Sequence, residues 1–399
     1  LREADGGDIP YNMVGLSVRG TYAFDSRYLM EVNMGYNGTE QFAPSKRFGF
    51  FPAFSLGWVI SNEAFMANLR ENGIISKLKL RASVGKVGND GLGGTRFLYL
   101  DNISYHVDVN HIISLGNGGK ISEKMLGNKN IHWETAWKQN YAIDLTLLKD
   151  LDLTFDYFIE NRTDILIARK TVPVIAGLTQ SQLPRVNMGE INNKGFEVAL
   201  SYKKYFTQHL SANISGNFSY TKNKVISADE AMLAKDYAYR YRDTGFSLGQ
   251  NWGYVIDRSV DLEHGKDGSG FFNTNDDVAK SGLLYETGGG MPRPGDFIYK
   301  DLNGDNIINE KDMAPIKYSS LVPRINYGFS VGGSFKGIDF SVMFQGVGQY
   351  SKYYSGRGVF EEEGSKYFLD ICDNRWTEER YANGEKITHP RLEVGGPSG

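Results

Sequence analysis

Apolar and polar residues alternate with a period of two in most ordered-looking stretches of this chain. In the clearest case, Gly195 to Tyr220, residues Phe196, Val198, Leu200 and Tyr202 alternate with Glu197, Ala199 and Ser201. After a polar break, Lys203 to Gln208, Leu210, Ala212, Ile214, Phe218 and Tyr220 alternate with Ser211, Asn213, Ser215, Asn217 and Ser219. Successive strand side chains point to opposite faces, so this pattern predicts a hairpin with one apolar and one polar face. The same pattern predicts strands at 15–24 and 28–36 around an Asp25–Arg27 turn, at 48–60, and at 78–84. It recurs at 133–147 and 151–159 around a turn at Lys149 and Asp150, and at 327–335 and 340–344 around Lys336 and Gly337. Pro52 predicts a bulge or a strand start, because proline removes a ladder hydrogen bond. Asn62 to Gly73, with an acidic first turn and a closing glycine, predicts a short helix.

About ten strands of roughly nine to thirteen residues, tilted near 45°, cross about 20–30 Å, close to the apolar band of an outer-membrane barrel. The connections alternate between short and long. Brief turns on the periplasmic side and long loops outside are the mark of such a barrel. A soluble sandwich exposes one face of each sheet too, but averages shorter strands. The expected fold is therefore all-β, an antiparallel transmembrane β-barrel with about ten strands here. It places 37–47, 87–132, 161–193, 221–324 and 348–399 outside the cell, and the 62–73 helix on the periplasmic side.

The bulk properties narrow the function. A net charge of −3 offers no basic face for nucleic acid. One cysteine, Cys372, excludes an internal disulfide framework. The 23 phenylalanines and 24 tyrosines suit a β-rich protein. Mean hydropathy is −0.38 and no apolar run reaches the length of a transmembrane helix, which leaves strands as the spanning element. The opening LREADGGDIP lacks the basic start and apolar core of a signal peptide, so the protein is either not exported or begins elsewhere.

Several stretches go beyond pattern. RYLMEVNMGYNGTEQFAPSKRFGFFPAFSLGWVISNEAFM, ISKLKLRASVGKVGND, NIHWETAWKQNYAIDLTLLKDLDLTFDYFIENRTDILI, NMGEINNKGFEVALSY, PGDFIYKDLNGDNIINEKDM, VPRINYGFSVGGSFKGIDFSVMFQGV and RWTEERYANGEKITHPRL follow one another in a fixed order. In that order they resemble the SusC/RagA family of TonB-dependent outer-membrane transporters. The resemblance implies a 22-stranded barrel with an N-terminal plug, in a chain more than twice this length. Residues 1–399 then represent a portion of the barrel, without plug, TonB-contacting box or final strands. It further implies active import of a nutrient too large for porins, with oligosaccharides first and peptides second. A SusD-like surface lipoprotein would cap the mouth, and TonB would supply energy through the plug. A cell outer membrane location in a Gram-negative bacterium follows, with no enzymatic activity.

The sharpest local motif is Asp301 to Asp312, DLNGDNIINEKD. Asp301, Asn303, Asp305, the backbone carbonyl of Ile307, Asn309 and Asp312 fall at the positions by which a twelve-residue loop wraps Ca²⁺. Asn306 stands where glycine is usual, and Asp312 where glutamate is usual; an Asx-rich turn without metal is the other reading. A structural Ca²⁺ ordering an extracellular loop is the expectation. Tyr237, Tyr239, Tyr241, Trp252 and Tyr254, in the 221–324 loop, are candidates for stacking on sugar rings. Trp133 and Trp137 fit an interfacial girdle. Ser247 in GFSLG matches a nucleophile elbow in letters, but that motif needs a strand-to-helix turn in a parallel sheet, absent here. His106, His111 and Asp108 could ligate a transition metal, or be plain surface. Asp144, Asp152, Asp156, Glu160 and Glu197 read as polar lining of a lumen. A surface β-rich glycan-binding protein with a calcium loop is the competing class, separated by its independence of detergent.

Overall fold

The computed structural model describes residues 11–93, 95–107, 119–172, 177–231, 233–237, 239, 242–258, 270–286, 290–352 and 369–392. The chain forms two compact units. The first comprises 1–231, 244–248 and 323–349; the second comprises 232–243, 249–322 and 350–399.

The first unit is a ten-stranded sheet whose strands neighbour one another in chain order. They are β1 (Met13–Phe24), β2 (Tyr28–Thr39), β3 (Phe48–Val59), β4 (Ile75–Asn89), β5 (Glu134–Leu147), β6 (Leu151–Ile167), β7 (Val186–Thr207), β8 (Leu210–Ser227), β9 (Ile325–Phe335) and β10 (Ile338–Gly348). Every neighbouring pair is antiparallel. The short connections are built for it. Asp25 and Ser26 have φ of 50° and 53°, Leu148 and Lys149 52° and 66°, and Lys336 and Gly337 50° and 84°. Consecutive positive φ values make the primed turns whose twist matches that of flanking strands.

Registers carry the apolar parity from strand to strand. One row runs Tyr28, Trp58, Leu80, Ile143, Phe155, Val198, Phe218 and Tyr327 across β2 to β9. Directly opposed residues of an antiparallel pair share a face, so these apolar side chains form one continuous surface. Most stay exposed in the chain itself, Tyr28 at 47%, Ile143 at 41% and Tyr327 at 46%. A soluble protein would bury such a face.

Some elements depart from the expected boundaries. The break at Lys203–Gln208 is ladder up to Thr207, with Lys204 opposite Ala212, and the turn shrinks to Gln208 and His209. Both ends of the 161–193 loop are strand: Arg162 pairs with Ile191 and Ile165 with Gly189 through irregular register. Likewise β4 continues to Asn89, and the following loop contains its own hairpin, Asn102–Val107 with Gly119–Met125. Alternation fades there because strand ends outside hydrocarbon meet water on both faces. Pro52 marks neither bulge nor strand start. It sits inside β3, one residue beyond Ala53, where the ladder to β4 ends and no donor is required. The 62–73 helix is reduced to two 3₁₀ turns, Ile60–Asn62 and Ala64–Met66, and one α turn, α1 (Ala67–Glu71), closed by Gly73 at φ 68°.

Above the sheet, on its long-loop side, Phe42, Leu92, Leu98, Ile131 and Trp133 form a buried cluster. Trp133 is 6% exposed and donates its indole N–H to the Arg47 carbonyl at 2.9 Å. It is therefore a core residue rather than part of a girdle, whereas Trp137 is 44% exposed on the apolar parity.

The second unit has a small core of Phe272, Val278, Tyr285, Ile298 and Ile308. A helix, α2 (Asn275–Ser281), starts on a Thr274–Asp277 capping box and ends at Gly282, φ 67°. Two short ladders complete it: Gln250–Gly253 against Ala314–Ser319, and Leu284–Tyr285 parallel to Ile307–Ile308.

Candidate functional site: the polar sheet face and the 301–312 loop

The face opposite the apolar surface carries the site-forming chemistry of the sheet. Across β2 to β9 the residues of this parity include Asn33, Ser55, Ser83, Asn140, Thr154, Ser201, Asn213, Ser215, Asn217 and Ser330, so hydroxyls and amides dominate. Many of the charges on it are tied to one another. Arg81 grips Asp144 through two bonds of 2.9 Å and reaches Asp156 at 3.6 Å. Arg162 joins Glu160 and Glu134 at 2.8 and 3.0 Å; Lys138 meets Glu160 at 3.4 Å; Arg19 meets Glu31 at 2.7 Å. The acids expected to line a lumen, Asp144, Asp152, Asp156, Glu160 and Glu197, lie on this face; Glu197 stands opposite both Asp156 and Ser219.

Two concavities follow the face. One, about 660 Å³, lies over β1 to β5 and includes Glu31, Ser55, Arg81, Ser83 and Asn140. The other, about 900 Å³, lies over β6 to β10 and includes Thr154, Ser201, Ser215, Asn217 and Gln345. Phe158 is an apolar residue of polar parity. Its register partner, Gly195, explains it: a Cβ there would lie 2.7 Å from the Phe158 ring and 2.2 Å from the Tyr220 carbonyl. The glycine lets the ring lie flat across the sheet.

The 301–312 loop in the second unit closes on itself. The Asp301 carboxylate accepts the N–H groups of Gly304 (2.7 Å) and Asn306 (2.8 Å); Asp305 accepts from Ile307 (2.8 Å); Asn303 accepts from Asp305 (3.2 Å). Asp312, 0% exposed, accepts from Leu302 (2.8 Å) and Asn309 (3.0 Å). Asn306 takes the left-handed backbone, φ 61°, expected where glycine is usual. Leu284 and Glu286 donate to the carbonyls of Asn306 and Ile308 (2.9 and 3.1 Å), and alternation turns that of Ile307 away from this ladder. Asn309 binds Glu286 at 2.7 Å. Among the described residues, no three His, Cys, Asp or Glu side chains gather around one metal position. The N–H bonds fill part of each carboxylate's capacity and leave further lone pairs.

The aromatic candidates divide. Tyr237 donates to Glu310 at 2.6 Å, and the neighbouring Asp236 binds Lys311, so this segment is fastened to the end of the 301–312 loop. Lys311 holds the Asp236 carboxyl below the usual aspartate range. Tyr239 is 43% exposed. Tyr254 packs on the second unit's core, its ring 5.3 Å from that of Tyr299, and Trp252 lies half-buried in a ladder opposite Pro315. Tyr241, His111 and Asp108 lie outside the described residues, and His106 falls in the loop hairpin. Ser247 donates to the Asn223 carbonyl (3.1 Å) and accepts from Arg324 (3.2 Å), a structural tie with no histidine base.

Sequence pattern did not single out one feature, a pocket of about 420 Å³ at the long-loop ends of β5, β6 and β7. Its residues lie within three segments without periodicity, 128–132, 169–172 and 183–188. Only their nearness in the folded sheet assembles it.

A continuous lipid-type face, a paired-charge polar face and short turns opposite long loops define an outer-membrane β-barrel. The model of the TonB dependent receptor-like β-barrel matches residues 4–303, and the chain belongs to that family. It is an outer-membrane β-barrel of the TonB-dependent receptor family. TonB-dependent receptor P39 of Formosa agariphila is 30% identical over 394 residues, 94% of this chain and 36% of that protein. TonB-dependent receptor SusC of Bacteroides thetaiotaomicron is 28% identical over 230 residues, 56% of this chain and 22% of that protein. Among solved structures, the RagAB peptide importer in its closed-closed state superposes with a TM-score of 0.68 at 18% identity, over 96% of this chain and 39% of that chain. The fold is thus of SusC/RagA type, and the chain spans about a third of the length of these relatives.

Proposed function

We propose that this chain is barrel wall of an active importer of the SusC/RagA type, working with a SusD-like surface lipoprotein and driven by TonB through a plug. The two-faced ladder carries the reading: lipid on one side, a wet passage on the other, with family membership naming the machine. The passage is read as one for a large nutrient, oligosaccharide first and peptide second. What supports the order is the wall chemistry. Hydroxyls and amides dominate and many of the charges are internally paired, which suits an uncharged, polyhydroxylated solute better than a charged one. The test is binding and uptake by the full-length protein with its neighbouring lipoprotein. Neutral oligosaccharides and peptide mixtures are offered separately to proteoliposomes or cells, with and without functional TonB. TonB-dependent uptake of the oligosaccharides supports the reading; uptake of peptides alone reverses the order, and uptake of neither removes the importer assignment.

A second reading concerns the 301–312 loop, proposed to hold a structural Ca²⁺. Ligand spacing, the left-handed Asn306 and the Ile307 carbonyl turned out of its ladder support it. Asp301, Asn303, Asp305, Ile307, Asn309 and Asp312 would hold the ion by oxygen alone, and its charge would draw the loop's carboxylates together. Chelator treatment should then make the loop sensitive to protease, with protection restored by Ca²⁺ but not by Mg²⁺. A loop equally protected in chelator is a self-closed Asx turn.

A further inference from the structure

The pocket at the long-loop ends of β5, β6 and β7 is preformed. Asn187 fixes one wall: its Nδ2 donates to the carbonyls of His132 (2.9 Å) and Asp164 (2.7 Å), while its Oδ1 accepts the His132 N–H (3.2 Å). Asp229, 8% exposed, fixes the opposite wall by accepting the N–H groups of Lys170 (2.6 Å) and Thr171 (3.3 Å) and the Thr171 hydroxyl. These ties set Arg169 and His132 across a space of about 420 Å³, within the range of small-molecule sites.

The pocket has groups that its own fold leaves over. Asn130 uses its backbone, taking Asn128 Oδ1 at its N–H (3.0 Å) and His132 Nδ1 at its carbonyl (2.8 Å), so among the described residues its amide is spare. His132 Nδ1 is bonded to that carbonyl, and its Nε2 lies 3.6 Å from Asp164 Oδ1. Arg169 turns its buried Nε toward Asp229, 3.7 Å away, and the rest of its side chain, 36% exposed, makes no hydrogen bond among the described residues. The wall is completed by apolar Leu183, Pro184 and Met188.

We propose that this pocket is a pyranose-binding subsite at the long-loop rim. A sugar ring has an apolar face of C–H groups and an edge of hydroxyls that both donate and accept. The apolar face fits against Pro184, Leu183 and Met188. The edge meets a donor in Arg169 and both donor and acceptor in the Asn130 amide. Asp164 and Asp229 offset the arginine charge, which favours a neutral sugar over a carboxylate. The inference rests on the oligosaccharide reading above and adds where one sugar unit is held.

The test immobilises maltoheptaose, cellohexaose, xylohexaose and mannohexaose and measures binding of the full-length protein in detergent. Arg169→Gln removes the donor; Met188→Trp fills the pocket without altering charge. Heat-modifiable mobility in gels verifies that each variant is a folded barrel. At least one glycan is expected to bind, with its Kd raised about tenfold or more by either folded variant, the equivalent of about 1.4 kcal/mol. A glycan bound with unchanged Kd by both variants overturns the subsite and leaves the oligosaccharide reading standing. Binding to none of the four, with peptides bound instead, overturns both.

Discussion

At the scale of single residues, the sheet depends on a few positions where chemistry leaves no choice. Gly195 is the sharpest. A methyl group there meets a backbone oxygen, Tyr220 O, at 2.2 Å, and backbone cannot swing away as a side chain can. Gly195→Ala in the full-length protein is expected to cost about 1–3 kcal/mol, as overpacking does, and to lower the temperature at which the folded gel band is lost. Phe158→Ala alongside it should recover little, because the carbonyl clash remains. Glu63, beneath the apolar face at the β3 end, makes a second case. Its carboxylate accepts the Trp58 indole N–H at 3.0 Å and pairs with Arg27 at 3.0 Å. The Trp58 bond first, then Tyr28 and Arg27, hold its pKa below the ordinary glutamate value of 4.5. A carboxylate whose pKa falls on folding adds stability above its unfolded pKa, and that stability is lost as pH drops through the folded value. Glu63→Gln should therefore melt earlier than the parent at pH 7, and the difference should close below about pH 4.5. A gap independent of pH would assign Glu63 a packing role only.

At the scale of elements, the two faces of one strand make opposite predictions for adjacent residues. Leu56 lies on the apolar face in the row of Met30 and Ala82; Ser55 lies on the polar face between Glu31 and Ser83. Arginine on the lipid face costs about 2–4 kcal/mol at the midplane and less toward the interfaces, still more than on a water-facing wall. Leu56→Arg should thus reduce folding into vesicles sharply and Ser55→Arg hardly at all, measured by urea titration of the refolded full-length barrel. Equal effects would mean that lipid does not contact the Leu56 face. Alternation made this part of the fold legible before any coordinates, because water and hydrocarbon impose opposite demands on successive residues. It failed where that contrast ends. β7 runs for 22 residues, about 70 Å at roughly 3.3 Å each, far more than a bilayer needs. Its first turns, from Val186 to Asn193, project into water, so both faces are polar or mixed and the stretch reads as loop. The turn at Leu148 and Lys149 was displaced by one residue from Lys149 and Asp150 for a similar reason: turn geometry is set by φ, and neither residue is a glycine that announces it. The Asx-rich turn at 301–312 was legible because its hydrogen bonds are local. The rim pocket was not, since Asn130, Arg169 and Met188 are brought together only by strand order.

At the scale of the whole molecule, hydrogen-bond closure governs. Each interior strand of the sheet has two partners, whereas among the described residues β1 pairs only with β2, and β10 only with β9. In water an open edge is solvated. In hydrocarbon every unpaired N–H and C=O costs several kcal/mol, and β10 alone offers a free side along 11 residues. The apolar face cannot offset this, because it draws exactly those edges into lipid. The relatives, about three times as long, have chain enough to pair both edges. Residues 1–399 produced alone and diluted from urea into lipid vesicles are therefore expected to stay protease-sensitive and to run on gels without a heat-modifiable band. The full-length protein under the same conditions should become a protected, heat-modifiable monomer. A protected monomer from the 399 residues alone would mean that β1 and β10 meet each other, closing a ten-stranded barrel whose bore is too narrow for an oligosaccharide. That outcome would remove the wet passage on which the importer reading depends.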